Sequence, residues 1–206
     1  MQEHLSILNS LFKNFQSTGT IFPSSRFLAQ AMVKGFKNLK TGINVLEVGA
    51  GTGPITRVII EEMSELDRLT ICEMNEDLLA ILKPKLTKNP YYQNLKQNIK
   101  LFESAIQELD PANNQFDAII CSLPFLNFPT SLSEEIFKKL HALAKPECKF
   151  CYFSYLGGKS IGSMFNAKRA ASRDYLNQQQ YFSLVNQETV WLNLLPAQVN
   201  FLEKTN

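Results

Sequence analysis

The residues with the plainest chemical potential are Glu47 and the run Gly49-Ala50-Gly51-Thr52-Gly53-Pro54. Val45 to Val48 reads as a buried strand that carries Glu47 near its end. The chain then turns through three alternate glycines and enters a helix with Pro54 at its first position. Glycine removes the side chain where backbone must bend tightly and approach a ligand. A dinucleotide fingerprint needs G-x-G-x-x-G, so that a pyrophosphate can sit on the helix N-terminus. Here the spacing is G-x-G-x-G with proline following, which argues against a dinucleotide. After the loop comes Glu73, at the end of a second predicted strand. A carboxylate there can accept two hydrogen bonds from a ribose diol. Without the glycine loop before it, the same residue reads as a solvated strand edge.

The other reactive side chains point to less. Cys148-Lys149-Phe150-Cys151 is formally C-x-x-C, but its flanks read as a strand. Residues three apart on a strand face opposite ways, which is poor geometry for a bridge. No second cysteine pair or histidine-rich partner completes a zinc site, so no metal is expected. Cys72 and Cys121 also lie in apolar strand-like runs, and all four read as reduced, mostly buried thiols of a cytosolic protein.

The chain has 206 residues, 45% of them hydrophobic and 19% charged, a globular composition. No apolar run approaches the ~20 residues needed to span a bilayer. The N-terminus lacks the basic start and small-residue cleavage site of a signal peptide. Net charge is +2, too balanced for a protein that coats itself with nucleic acid. The charge is unevenly spread: residues 1–40 carry Lys13, Arg26, Lys34, Lys37 and Lys40 against Glu3, a net of +4. Residues 41–144 are net −5 and residues 145–206 net +3. Basic ends suit one face against an anionic partner such as a membrane; ordinary surface scatter is the alternative.

The positioning elements follow from hydrophobic period. Residues 1–15 read as an amphipathic helix, with Leu5, Leu8, Leu11, Phe12 and Phe15 at spacings of three and four. Pro23-Ser24-Ser25 opens a second helix, with Phe27, Leu28, Ala31 and Met32 on its apolar side. From residue 43, strands alternate with helices: strands at Ile43–Val48, Leu69–Glu73, Ile99–Phe102, Phe116–Cys121 and Lys149–Tyr155, and helices over Pro54–Glu65, Asn75–Leu86 and Ile161–Gln178. Ser131-Leu132-Ser133-Glu134 is a capping box for a further helix ending near Lys145. Strands at Tyr181–Val185 and Val190–Leu194 and an extended piece at Gln198–Leu202 close the chain. Continuous apolar strands with helices between them predict a Rossmann-like, doubly wound, mostly parallel α/β sheet of seven strands, preceded by N-terminal amphipathic helices. Two units are expected, residues 1–41 as a helical lid and 42–206 as the sheet domain.

On the glycine loop and Glu73, the chain resembles the class I S-adenosylmethionine-dependent methyltransferases. The resemblance implies S-adenosylmethionine as cofactor and S-adenosylhomocysteine as product. It implies that Gly49, Ala50, Gly51, Thr52 and Gly53 wrap the amino-acid part of the cofactor, and that Glu47 orders the loop and helps hold its ammonium. By the same resemblance Glu73 takes the ribose hydroxyls and Met74 packs on the adenine. The third strand should supply an acidic residue for the adenine edge. Glu103-Ser104-Ala105-Ile106 puts Ala105 in that place, leaving Ser104 or backbone groups of Ala105 and Ile106 for the contact. After the fourth strand, amino-group methyltransferases carry Asn/Asp-Pro-Pro-Tyr or Asn-Leu-Pro-Tyr. Here the sequence is Ser122-Leu123-Pro124-Phe125. Ser122 can still accept a hydrogen bond, and the Phe125 face can stabilise a cation. A proline turn with core aromatics is the alternative.

Four segments narrow the resemblance: Gly19-Thr20-Ile21-Phe22-Pro23-Ser24-Ser25-Arg26, Ser122–Pro129, Phe153-Ser154-Tyr155 and Asn193-Leu194-Leu195-Pro196-Ala197. With these the chain is similar to bacterial phospholipid N-methyltransferases, and more distantly to rRNA adenine dimethyltransferases. The first likeness implies methylation of the phosphatidylethanolamine headgroup towards phosphatidylcholine. It also implies a cytoplasmic protein, peripheral on the inner face of the membrane, docked through the 1–15 helix and covering its own active site. On its residues that helix can equally pack on the sheet. Anionic-lipid attraction would come from Arg26, Lys34, Lys37, Lys40, Lys168, Arg169 and Arg173. Tyr155 is the candidate contact for amine or phosphate, and Phe125, Phe128 and Tyr155 the candidate aromatic pocket. Neither His4 nor His141 is placed to be a general base. The alternatives are an RNA adenine methyltransferase, a soluble-amine methyltransferase and a non-catalytic binding protein. The balanced charge weighs against RNA, and no nucleic acid is expected.

Overall fold

The computed structural model describes residues 24–36, 39–125, 128–156 and 180–205. The expected helices over 1–15 and 161–178, with His4, Lys13, Lys37, Lys168, Arg169 and Arg173, lie outside the described residues. In chain order the elements are α1 (Arg26–Lys34), β1 (Asn44–Val48), α2 (Pro54–Glu62), β2 (Arg68–Cys72), α3 (Glu76–Lys88) and α4 (Pro90–Leu95). There follow β3 (Ile99–Phe102), β4 (Phe116–Cys121), α5 (Thr130–Leu143), β5 (Ala144–Tyr155), β6 (Phe182–Val190) and β7 (Ala197–Lys204).

The strands form one seven-stranded sheet in the order β3-β2-β1-β4-β5-β7-β6. β1 to β5 run parallel, β7 lies antiparallel on β5, and β6 antiparallel on β7. The order reverses between β1 and β4, so the carboxyl ends of these two strands flank the crevice where such sheets bind ligands. The expected doubly wound, mostly parallel sheet is what forms. Its central strands are apolar because helices cover both faces. One apolar cluster joins α1, α2 and α3 to the first face; the second joins α5 to the other. Cys151 belongs to the first cluster and Cys148 to the second, as strand alternation required. All four cysteines are free and buried, and burial pushes the Cys121 and Cys148 thiols up to about 12.

Five local expectations need correction. Phe27 is 53% exposed; the buried side of α1 is Leu28, Ala29, Ala31, Met32 and Val33. The Ser131 capping box does not form. α5 begins at Thr130 behind Pro129 with no side-chain cap, and Ser133 is buried inside the helix. The predicted break at Asn186 to Thr189 is instead the middle of a nine-residue β6. β6 is an edge strand, so its polar residues face water while its backbone pairs with β7, and Gln187 Nε2 donates to Asn200 Oδ1 at 2.6 Å. Trp191 to Leu194 then forms a loop rather than a strand. β5 also starts five residues earlier than expected, with an irregularity where Glu147 takes φ +63°.

Candidate functional site

β1 ends where its two neighbours end, and the hydrogen bonds around its carboxyl end define the site. Gly49 N donates to Cys72 O at 2.9 Å and Ser122 N to Val48 O at 2.8 Å. These lash the glycine loop to β2 on one side and the Ser122-Leu123 turn to β1 on the other. The three loop glycines take φ +75°, +59° and +86°, a region that residues with a Cβ rarely occupy. Gly53 caps α2, and Pro54 occupies its first turn. A Cβ at Gly53 would stand 2.6 Å from Leu82 Cδ1, so this glycine permits α3 to approach the loop. A Cβ at Gly51 would meet nothing within 4 Å. The two glycines thus serve different ends, helix packing at one and open backbone at the other.

That contrast gives a clean expectation. Gly51→Ala strains the backbone by about 1–2 kcal/mol without a clash, so the melting temperature should fall by only a few degrees. Cofactor affinity should fall at least tenfold, because the loop can no longer present bare backbone. Calorimetric titration beside a thermal melt checks both; an unchanged affinity would remove Gly51 from the site.

Glu73 is 2% exposed, and its carboxylate is set among backbone amides. Oε2 accepts from Gly51 N at 2.8 Å, and Oε1 from Met74 N and Asn75 N, each at 2.9 Å. Burial, the larger influence, holds its carboxyl above the usual range, while the three amides oppose that. One carboxylate therefore ties the glycine loop to the turn after β2. A carboxylate has about four acceptor positions, so one remains for a ligand hydroxyl.

Glu47 lies one residue before the end of β1, on the face of the sheet opposite Leu46 and Val48. It is wholly buried, beside Thr56 of α2. Neither carboxylate oxygen has a hydrogen-bond partner, and the Thr56 hydroxyl, though close enough to offset part of the burial, makes no bond of normal geometry. Burial, with a smaller contribution from Glu73, pushes its pKa up to about 8. An orphaned acidic group beneath the glycine loop fits a cationic ligand group better than a neutral one.

Of the residues singled out by sequence, Gly49, Glu73, Met74, Ser104, Ala105, Ile106 and Leu123 line one small open cleft. Ala50, Gly51, Thr52 and Gly53 form the loop at its side. The Ser104 hydroxyl donates to Glu108, and Ser104 O accepts from Cys72 Sγ. The Ser122 hydroxyl is buried and has no partner. Sequence reasoning missed Gln107, which lines the same wall and keeps both polar atoms of its amide buried and unpartnered. An amide both donates and accepts, as the edge of an adenine requires. Its only signal in the sequence was its place just after Ser104-Ala105-Ile106.

Phe125 and Tyr155 are not brought together. Phe125 is buried, stacked on Phe137 at 4.5 Å and edge-on to Phe128 and Tyr152, in the cluster under α5. It supports the Leu123-Pro124 turn from below, and Leu123 is the residue that reaches the cleft. Tyr155 packs in the opposite cluster, edge-on to Phe153, with its hydroxyl turned to Asn193. Asn193 Oδ1 also accepts from Ser25 N at 2.9 Å. Three of the four segments that narrowed the family likeness therefore meet at one asparagine. Among the described residues no cluster of histidine, cysteine, aspartate and glutamate could hold a metal ion.

Comparison with known proteins agrees with this geometry. The model of a methyltransferase domain family matches residues 45–147, from β1 through the start of β5. The chain is 24% identical over 152 residues to an ornithine lipid N-methyltransferase of Singulisphaera acidiphila, across 73% of this chain and 77% of that one. Among solved structures, TrmN from Thermus thermophilus superposes with a TM-score of 0.61 at 17% identity; 86% of this chain aligns, spanning 48% of TrmN. The N-methyltransferase NodS from Bradyrhizobium japonicum WM9, in complex with S-adenosyl-L-homocysteine, superposes with a TM-score of 0.64 at 11% identity over 86% of each chain.

Proposed function

The chain belongs to the methyltransferase domain family and is an S-adenosylmethionine-dependent methyltransferase; on that premise we propose that it methylates the amino headgroup of a membrane lipid. Phosphatidylethanolamine and its methylated forms are the first substrates to try. The likeness to an ornithine lipid N-methyltransferase supports the broader class of amino lipids.

The observation that carries an amine acceptor is the make-up of the cleft. Among the described residues, the titratable groups that line it are Cys72, a deeply buried thiol, and Glu73, whose carboxylate already holds three amides. An alcohol or carbon acceptor needs a strong base in the transition state, and neither residue is free to be one. An amine needs only to arrive neutral. S-adenosylmethionine, when bound, would supply a methyl carbon that the amine lone pair attacks in line as the C–S bond breaks, with S-adenosylhomocysteine leaving as the thioether. An ammonium in water has a pKa of about 10, so the chain must favour the neutral form. Leu123, which adjoins Ser122 at the edge of the cofactor cleft, does this by desolvation. The unpartnered Ser122 hydroxyl can accept the remaining N–H of the amine and aim its lone pair.

The test is mass spectrometry of lipids after incubation of the chain with S-adenosylmethionine. Vesicles would contain phosphatidylethanolamine, phosphatidylglycerol and an ornithine lipid, with soluble ethanolamine and RNA as parallel acceptors. Gain of one, two or three methyl groups on an amino lipid is expected. Ser122→Ala should lower kcat/KM for that lipid by about tenfold, the value of one hydrogen bond. Methylation confined to the soluble amine or to RNA would overturn the lipid reading.

A further inference from the structure

The loop between β6 and β7 exposes its largest apolar side chains: Trp191 is 72% exposed, Leu192 66% and Leu194 67%. An isolated exposed leucine needs no explanation, but three large apolar groups in four residues do. The loop is held, not loose. Ser25 Oγ donates to Leu192 O at 2.9 Å, Asn193 Nδ2 donates to Leu195 O at 2.9 Å, and Leu156 N donates to Pro196 O at 2.6 Å. The same bonds bring exposed Phe27 and Leu156 alongside. These five exposed side chains sit on α1, just after β5 and on the β6–β7 loop, three segments that the hydrogen bonds above tie together.

Its position in the fold is specific. Ala197 pairs with Tyr155, the last residue of β5, and with Val190, the last residue of β6. The loop between Val190 and Ala197 therefore projects from the edge where the parallel strands end. That is the edge onto which the glycine loop, Glu73 and Leu123 open. The charge pattern identifies the partner. No charged residue occurs from Thr189 to Leu202, and the charge next to Phe27 is the exposed Arg26. A tryptophan among leucines in an uncharged stretch, whose nearest acid, Glu188, is neutralised by Lys34, is the composition that seats in the headgroup and upper acyl region of a bilayer.

We propose that the Trp191-Leu192-Leu194 loop, with Phe27 and Leu156, is a membrane-docking surface that sets the cleft against the headgroup layer. The proposal rests on the lipid reading above. It differs from docking through residues 1–15, because it uses a tied loop at the sheet edge. A lipid amine then has only to rise into the cleft.

Trp191 is the chain's single tryptophan, so it reports on its own surroundings. The full chain would be titrated with vesicles of phosphatidylethanolamine and phosphatidylglycerol, with and without brominated acyl chains. A blue shift of Trp191 emission and quenching by the brominated lipid are expected. A Leu192→Ser/Leu194→Ser double variant, which keeps the reporter, should lose at least tenfold in vesicle partitioning. Its cofactor affinity and its turnover of a short-chain, monomeric amino lipid should match the parent. Vesicle binding with an unchanged Trp191 spectrum would overturn this surface and leave the lipid reading standing. Blue emission shielded from soluble quencher before vesicles are added would also overturn it, by showing the patch covered. Concentration dependence of that emission would name a second copy as the cover, and its absence the chain's own residues outside those described. A blue shift on vesicles with no lipid methylated would uphold docking and sink the substrate reading.

Discussion

Raising the pH from 5 to 8 should destabilise the cofactor-free protein, and Glu47→Gln should remove most of that loss. In the folded chain the Glu47 pKa stands at about 8, against an ordinary 4.5, because burial penalises its charged form. Between these values the unfolded chain has released the proton and the folded chain still holds it. Folded protein therefore binds more protons, and stability falls as pH rises through this window. The slope is up to roughly 1.4 kcal/mol per pH unit, or about 4 kcal/mol in all. For a chain of this size that lowers the melting temperature by about 10 °C. Glutamine keeps the shape and has no proton to lose, so the variant should melt higher than the parent at pH 8 and nearly equal to it at pH 5. A residual slope of the same sign belongs to Glu73, whose carboxyl is shifted the same way. Cofactor binding sharpens the test. If a ligand ammonium reaches Glu47, the parent's affinity should climb towards pH 8 as binding expels the proton, and the Gln variant's affinity should stay flat. A parent melting curve independent of pH over this range would show that Glu47 is not a buried, unpartnered acid.

Glu73→Ala should be the most damaging single change to the site. It leaves the amides of Gly51, Met74 and Asn75 without their acceptor at a buried position. Each unsatisfied donor costs about 1–3 kcal/mol, less where water enters. A total of about 3 kcal/mol would lower the melting temperature by roughly 6–12 °C. The glycine loop would also lose its tie to the turn after β2, and with it the shape that presents bare backbone. Cofactor affinity should fall about a hundredfold, because loop order and a charge-assisted contact are lost together. Glu73→Gln separates the two effects. Its side chain cannot accept on both ends, so either the Gly51 amide or the Met74–Asn75 pair faces a donor. Its stability should lie between parent and Ala variant, while its affinity stays near the Ala value. Wild-type cofactor affinity in Glu73→Ala, measured by calorimetry, would take Glu73 out of the site.

The parts of this molecule that were legible in the sequence are those set by local rules. β3 and β4 have the predicted bounds, since a short, mostly apolar run between polar turns reads as a strand from its own residues. Ser25 caps α1 and Asn75 caps α3, because a side-chain oxygen beside free helix amides needs no distant partner. The opposed faces of Cys148 and Cys151 followed from strand alternation alone. The edge strand was misread for the same kind of reason. A polar run at Asn186 to Thr189 looks like a turn locally, and only pairing with β7 makes it a strand.

By itself, then, the sequence determined the alternation of strands and helices, the glycine loop after β1, and the carboxylates at the ends of β1 and β2. Each depends on residue type and spacing within a dozen positions. The tertiary structure decided what those groups face. It left Glu47 sealed and unpaired beneath α2, and gave Glu73 three amides from two loops. It set Gln107 in the cleft wall with its amide buried and unpartnered, and sent Phe125 and Tyr155 to opposite sides of the sheet. It also tied the segments that carry Phe27, Leu156 and Trp191 together, the first of them more than a hundred residues from the other two. Burial and hydrogen-bond partnership are properties of the packed chain. They depend on which distant segments the sheet brings into register, and no local pattern carries that information.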